Sequence, residues 1–234
     1  YIDRALLSVR ACSLAFLPPA AIPGSPYAAG LQCIAQVEDP NTLSGATIFR
    51  SSDGEVIVAC RGSANLKNFQ TNFEVGPVAL QTQSGPHPAA KVHSGFQKAA
   101  RELWRLIEPE LPPGRLMVTG HSLGGGTATL VGLRAHEAGR EVDLITVAGP
   151  RLGNGAFASH FRETCGAATH LVHDEDEVLQ SNVELWDRLG FEHVGAVVRC
   201  SKDRPCVYDG AGEEACLSEV GIRPDQVSIK GVLV

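Results

Sequence analysis

Two apolar patterns alternate along this chain. Leu116 to Thr119, Leu144 to Ala148 and His170 to His173 are short, largely apolar runs, and between them lie Phe96 to Ile107, Thr127 to Ala138 and Ala156 to Phe161, where apolar residues return every three or four positions. A strand buried on both faces shows no alternation, whereas a helix with one buried face shows a period of 3.6. The rhythm therefore predicts β-α-β crossovers: a mostly parallel central sheet with helices on both faces. Upstream, Ala46 to Arg50 and Glu55 to Cys60 are joined by Ser51-Ser52-Asp53-Gly54 and predict an antiparallel hairpin at the start of that sheet. Residues 1 to about 17 set Ile2, Leu6, Leu7, Ala11 and Leu14 against Asp3, Arg4 and Arg10, an amphipathic helix stopped by Pro18-Pro19. This pattern suits a helix better than a secretion signal, so the mature chain is expected to begin at residue 1. Gly76 to Pro88 carries Pro77, Pro86 and Pro88 and is expected to be a long surface loop.

The sharpest local signal is Thr119-Gly120-His121-Ser122-Leu123-Gly124-Gly125-Gly126, a serine in G-x-S-x-G between a strand pattern and a helix pattern ended by Gly139. In such a nucleophile elbow the serine sits on a strained strand-to-helix turn, and side chains two residues either way would collide, hence Gly120 and Gly124. A serine nucleophile needs a base, a carboxylate to orient that base, and amide donors for the developing oxyanion. The N–H of Leu123 is one candidate donor. The second is expected from the loop after an earlier strand, which Arg61-Gly62-Ser63 leaves.

Composition narrows the setting. The 234 residues fit one larger domain spanning 1–234, and no linker, internal repeat or low-complexity tract divides them. No run approaches the about 18 unbroken apolar residues of a membrane helix. A net charge of −6 with scattered Lys and Arg argues against a nucleic-acid partner. The eight histidines show no ligand spacing, so neither a metal nor another cofactor is expected. Seven cysteines, three of them Cys200, Cys206 and Cys216, favour an oxidising, extracellular setting with a disulfide stapling the C-terminal loops, whereas Cys60 reads as a free buried thiol.

Six blocks together resemble the filamentous-fungal, or class 3, lipase family. They are Arg61-Gly62-Ser63, Lys91-Val92-His93-Ser94-Gly95-Phe96, Thr119 to Gly125, Gly149-Pro150-Arg151-Leu152-Gly153-Asn154, Asp176-Glu177-Val178, and Gly190-Phe191-Glu192-His193-Val194-Gly195. The resemblance spans roughly residues 46 to 230 and implies an α/β-hydrolase fold acting on the carboxylic esters of acyl lipids, triacylglycerol or related. It implies Ser122 as nucleophile, Asp176 as orienting acid with Asp174 as runner-up, and Ser63 beside Leu123 as oxyanion donor. It also places a lid at about residues 64–73, where Leu66, Phe69 and Phe73 share one helical face; spacing alone equally fits a helix packed permanently on the core. A lid would bring transient contact with a lipid surface.

The family's catalytic histidine lies in a C-terminal segment of the form Asp-His-x-Ser-x-x-Gly. This chain reads Asp225-Gln226-Val227-Ser228-Ile229-Lys230-Gly231, and no histidine follows His193. A glutamine amide has no nitrogen that titrates near neutral pH, so Gln226 can hydrogen-bond but cannot take and return a proton. His193 is the fallback base, although its block matches a non-catalytic family block and it is expected to enter a strand over His193 to Val198. Two functions follow: a serine ester hydrolase whose activity is impaired by Gln226, or a lipase homologue that has become a lipid-binding or acyl-sensing protein.

Overall fold

The computed structural model describes residues 2–61, 76–166, 168–173, 183–200, 206–208 and 214–216. Helix α1 (Ile2–Leu14) comes first and ends three residues before the expected stop. The hairpin expected from the sequence is β2 (Gly45–Ser51) and β3 (Val56–Arg61), antiparallel with Ile48 opposite Val58. Ahead of it runs β1 (Leu31–Glu38), an edge strand whose irregular burial and bulge between Cys33 and Ala35 hid it from the period-two pattern.

From β3 onward the sheet is parallel. Strands β6 (Leu116–His121), β7 (Val142–Val147), β9 (Ala168–His173) and β11 (Ala196–Cys200) follow β3 in order across it, and two antiparallel pieces, β12 (Cys206–Tyr208) and β13 (Glu214–Cys216), extend the far edge. Among the described residues this makes a nine-stranded sheet. Helices α2 (Ser94–Ile107), α3 (Leu123–Glu137) and α4 (Gly155–Cys165) cover one face, where Phe96, Leu103, Val118, Leu144, Phe157 and Phe161 pack together; α1 covers the other, over Phe49, Ile57, Met117 and Ile145. Val118 and Met117 point to opposite faces, as alternation along a strand requires. This is the α/β-hydrolase arrangement.

Two expectations are corrected. Residues 76–88 are not a loop: β4 (Pro77–Thr82) and β5 (Gly85–His93) form an antiparallel pair in a small second sheet with β8 (Gly153–Asn154) and β10 (Phe191–Glu192). Proline is tolerated there because Pro77 opens an edge strand, and β8 pairs with β5 only at Val92, beyond Pro86 and Pro88. His193 does not enter a strand; it lies in the bend after β10, because a Cβ at Gly195 would come 2.1 Å from the Ala168 carbonyl oxygen and the chain turns at this close approach before β11 begins.

Candidate active site

Helix α3 begins at Leu123, four residues ahead of the expected start, so its first turn rises directly from Ser122. Gly125 and Gly126 of that turn, poor helix formers by propensity, and Gly120 near the end of β6 are there for contact. A Cβ on Gly120 would lie 2.2 Å from the Gly124 carbonyl oxygen, one on Gly125 would lie 2.8 Å from Gly149 Cα, and one on Gly126 would enter the Phe96 ring at 2.6 Å. The bend between strand and helix puts Ser122 at φ 54°, ψ −123°, a conformation that costs a non-glycine residue on the order of 1–3 kcal/mol. Backbone bonds hold it: Ser122 N–H donates to the Val147 carbonyl at 2.9 Å, and Gly125 N–H donates to the Ser122 carbonyl at 2.8 Å. One strand over, Ala148 is also at positive φ (51°) and donates to Leu171 at 2.7 Å.

The Ser122 hydroxyl is buried and has no hydrogen-bond partner among the described residues, and it does not cap α3. A buried hydroxyl left unpaired costs on the order of 1–3 kcal/mol, and such an atom, held at a strained turn, is poised for a ligand or for chemistry. Leu123 is the first residue of α3, where backbone N–H groups lack intrahelical acceptors. Of the other residues singled out from sequence, Ser63, Leu66, Phe69, Phe73, Asp174, Asp176 and Gln226 lie outside the described residues.

His193 does not hydrogen-bond to Ser122. Its ring instead rests on His170, with centroids 4.7 Å apart, and its pKa is driven well below the ordinary value by burial, by His170 and by Arg151. His170, which no sequence motif singles out, shares a buried 2.6 Å hydrogen bond between Nδ1 and the Thr146 hydroxyl. Nothing in the sequence marks that pair, because it exists only once β7 and β9 are in register. His93 caps α2: its Nδ1 accepts from Gly95 N–H at 3.1 Å, its ring meets Phe96 at 5.3 Å, and burial lowers its pKa to about 4. Through Phe96, that cap supports the elbow at Gly126.

A sequence model of the class 3 lipases matches residues 57–184, more than half of the chain. The chain belongs to the class 3 lipases. It is 34% identical over 147 residues to the secreted mono- and diacylglycerol lipase 1 of Fusarium solani, covering 58% of this chain and 43% of that one. With a lipase of Rhizopus niveus it shares 30% over 131 residues, 47% of this chain and 33% of the relative. The chain thus spans less than half the length of these two relatives. The solved structure of a triacylglyceride lipase from Rhizomucor miehei matches with a TM-score of 0.78 over 99% of this chain and 94% of that one, at 22% identity, a likeness of fold.

Among the described residues of this class 3 lipase, Cys12, Cys33, Cys60 and Cys165 are free thiols, with Cys60 buried as its apolar run predicts. Burial pushes the Cys12 thiol up to about 12 and raises Cys60 further, so both are held protonated and unreactive. No helix among the described residues is long and apolar enough to cross a membrane.

Proposed function

We propose that this chain carries a lipase-type serine ester hydrolase site for acyl lipids, acylglycerols foremost, in which Ser122 is the nucleophile. The observation that carries the reading is the Ser122 hydroxyl: buried, without a partner among the described residues, and held at positive φ where α3 begins. Attack by Oγ on an ester carbonyl creates an oxyanion, and the Leu123 N–H at the positive end of α3 suits its stabilisation. The family pattern adds the Ser63 amide as second donor, Asp176 as the orienting acid, and a lid over residues 64–73 that brings Leu66, Phe69 and Phe73 to a lipid surface. The secreted Fusarium solani relative and the cysteine content support an extracellular setting.

Position 226 limits the chemistry. Without a base there, proton removal from Ser122 falls to water, and loss of a triad member costs on the order of 10⁴–10⁶ in turnover. The chain as it stands is therefore a slow hydrolase, and Gln226 also favours a second reading, a lipid-binding homologue that keeps the pocket without the chemistry. Hydrolysis of p-nitrophenyl butyrate by this chain and by Gln226→His separates them: a rise in kcat of about 10³ or more supports a disabled hydrolase. No rise, with tight binding of a fluorescent fatty acid, supports the binding protein. Substantial activity of the unaltered chain that His193→Ala abolishes would move the base to His193, against the absence of any Ser122–His193 hydrogen bond.

A further inference from the structure

On the α3 face of the sheet lies a polar row that the ester chemistry does not use. Gly120 of β6, Thr146 of β7 and His170 of β9 stand side by side in register near the ends of their strands. Thr146 and His170 are almost wholly buried, at 0% and 3% exposure, and share the 2.6 Å hydroxyl–imidazole bond. Beyond His170 the His193 ring lies 4.7 Å away, tilted by 37°. In the other direction Thr146 meets the elbow: a Cβ on Gly149 would come 3.1 Å from its Oγ1, and a Cβ on Gly125 would come 3.4 Å from its Cβ. Gly125 in turn donates its N–H to the Ser122 carbonyl at 2.8 Å. A continuous line of contact runs from His193 through His170 and Thr146 to the turn that carries Ser122.

The ladder between β7 and β9 does not require that side-chain bond. Valine at 146 and phenylalanine at 170 would fill the same space without desolvating a hydroxyl and an imidazole, which is costly unless the pair supplies something packing does not. What it supplies is direction. The bond fixes the Thr146 rotamer, so that its hydroxyl faces Gly149 and its Cβ faces Gly125 in a single arrangement and the first turn of α3 has one seat.

We propose that His170 is a positioning residue for Ser122, acting through Thr146, with His193 holding the imidazole against rotation. Its catalytic meaning rests on reading Ser122 as the nucleophile; the mechanical link from His170 to the elbow does not.

Two variants break the link while keeping shape, Thr146→Val and His170→Phe; two restore it, Thr146→Ser with its hydroxyl and His170→Asn with an acceptor near the Nδ1 position. Hydrogen exchange of the full chain reads the elbow directly. The Val and Phe variants are expected to speed exchange of the Ser122 and Gly125 amides by about tenfold relative to amides in β2 and α2, with Ser and Asn within about threefold. The double variant should be no worse than either single change, because both cut the same connection. In the Gln226→His chain, the limiting rate of phosphonylation of Ser122 by a fluorophosphonate should fall by about tenfold in the Val and Phe variants, with little change in the half-saturating concentration. Exchange accelerated equally in β2, α2 and the elbow would mean a general loss of stability and would overturn the proposal, as would an elbow that does not change. Should Ser122 resist the reagent in the Gln226→His chain, the hydrolase reading fails, while the exchange pattern still decides the link.

Discussion

The two sides of β6 treat buried hydroxyls in opposite ways. On the α1 side, Thr119 shares a 2.6 Å hydrogen bond with Ser8, meets the Cys12 thiol at 3.2 Å, and Ser8 also donates to the Ile145 carbonyl. Arg4 pins the same helix to Glu55 and Asp143 at 2.8 and 2.6 Å. Three residues along the chain, the Ser122 hydroxyl is also buried and has no partner among the described residues. The backbone around Thr119 is regular strand, whereas Ser122 is bent to positive φ by contacts that leave no room for a Cβ at Gly120. Satisfied polar groups fasten α1 to the sheet; one without a partner among the described residues, held in place by backbone contacts, is the proposed nucleophile. The α3 side holds its elbow by close backbone approach and by one buried imidazole, the α1 side by hydroxyls and the two ion pairs of Arg4.

The largest effect is expected from the close approach. Gly120→Ala sets a methyl 2.2 Å from a carbonyl oxygen and 2.4 Å from its carbon, both backbone, so the elbow must open; a loss of more than about 4 kcal/mol in denaturant unfolding is expected. A variant that folds normally and keeps Ser122 unchanged would undo the steric account of the bend.

Acid comes next. Burial holds His170 neutral with its pKa pushed down to about 4, against about 6.5 in the unfolded chain. Above 6.5 neither state carries the proton and the term vanishes. As the pH falls from 6.5 towards 4 the unfolded chain binds a proton that the folded chain refuses, so stability declines across that window by ~3 kcal/mol and levels off below it. Buried His93 adds a slope of the same sign. His170→Phe should remove its share of the decline in urea midpoints measured from pH 7 to pH 4, whereas Thr119→Val, on the side whose hydroxyls do not titrate, should leave the slope as it was.

The smallest effect sharpens the contrast most. Thr119→Val strips Ser8 and Cys12 of a partner and should cost about 1–2 kcal/mol, while Ser122→Ala removes a hydroxyl with no partner among the described residues and should be neutral within about 0.5 kcal/mol or stabilising. Equal losses at the two positions would show that Ser122 is a structural hydroxyl like its neighbour.

Much of this was legible in the sequence because it is local. The G-x-S-x-G run foretold the bend, since only glycine fits at Gly120, and the parallel strands appeared as apolar runs because both their faces are covered. The β4–β5 pair was misread, since proline argues against a strand unless it is known to lie at an edge, and edges are a property of the assembled sheet. The Thr146–His170 bond was invisible for a related reason: 24 residues separate the partners, and only the pairing of β7 with β9 sets them side by side. His193 is only a fallback base by sequence, since its block matches a non-catalytic family block; in the fold its ring faces His170.

Treatment of the Gln226→His chain with a fluorophosphonate, followed by peptide mass spectrometry, tests the central claim most directly. A single phosphonyl adduct on Ser122, absent from the Ser122→Ala variant of the same chain, is the predicted result. An adduct on another residue, or ester turnover that survives Ser122→Ala, would contradict it.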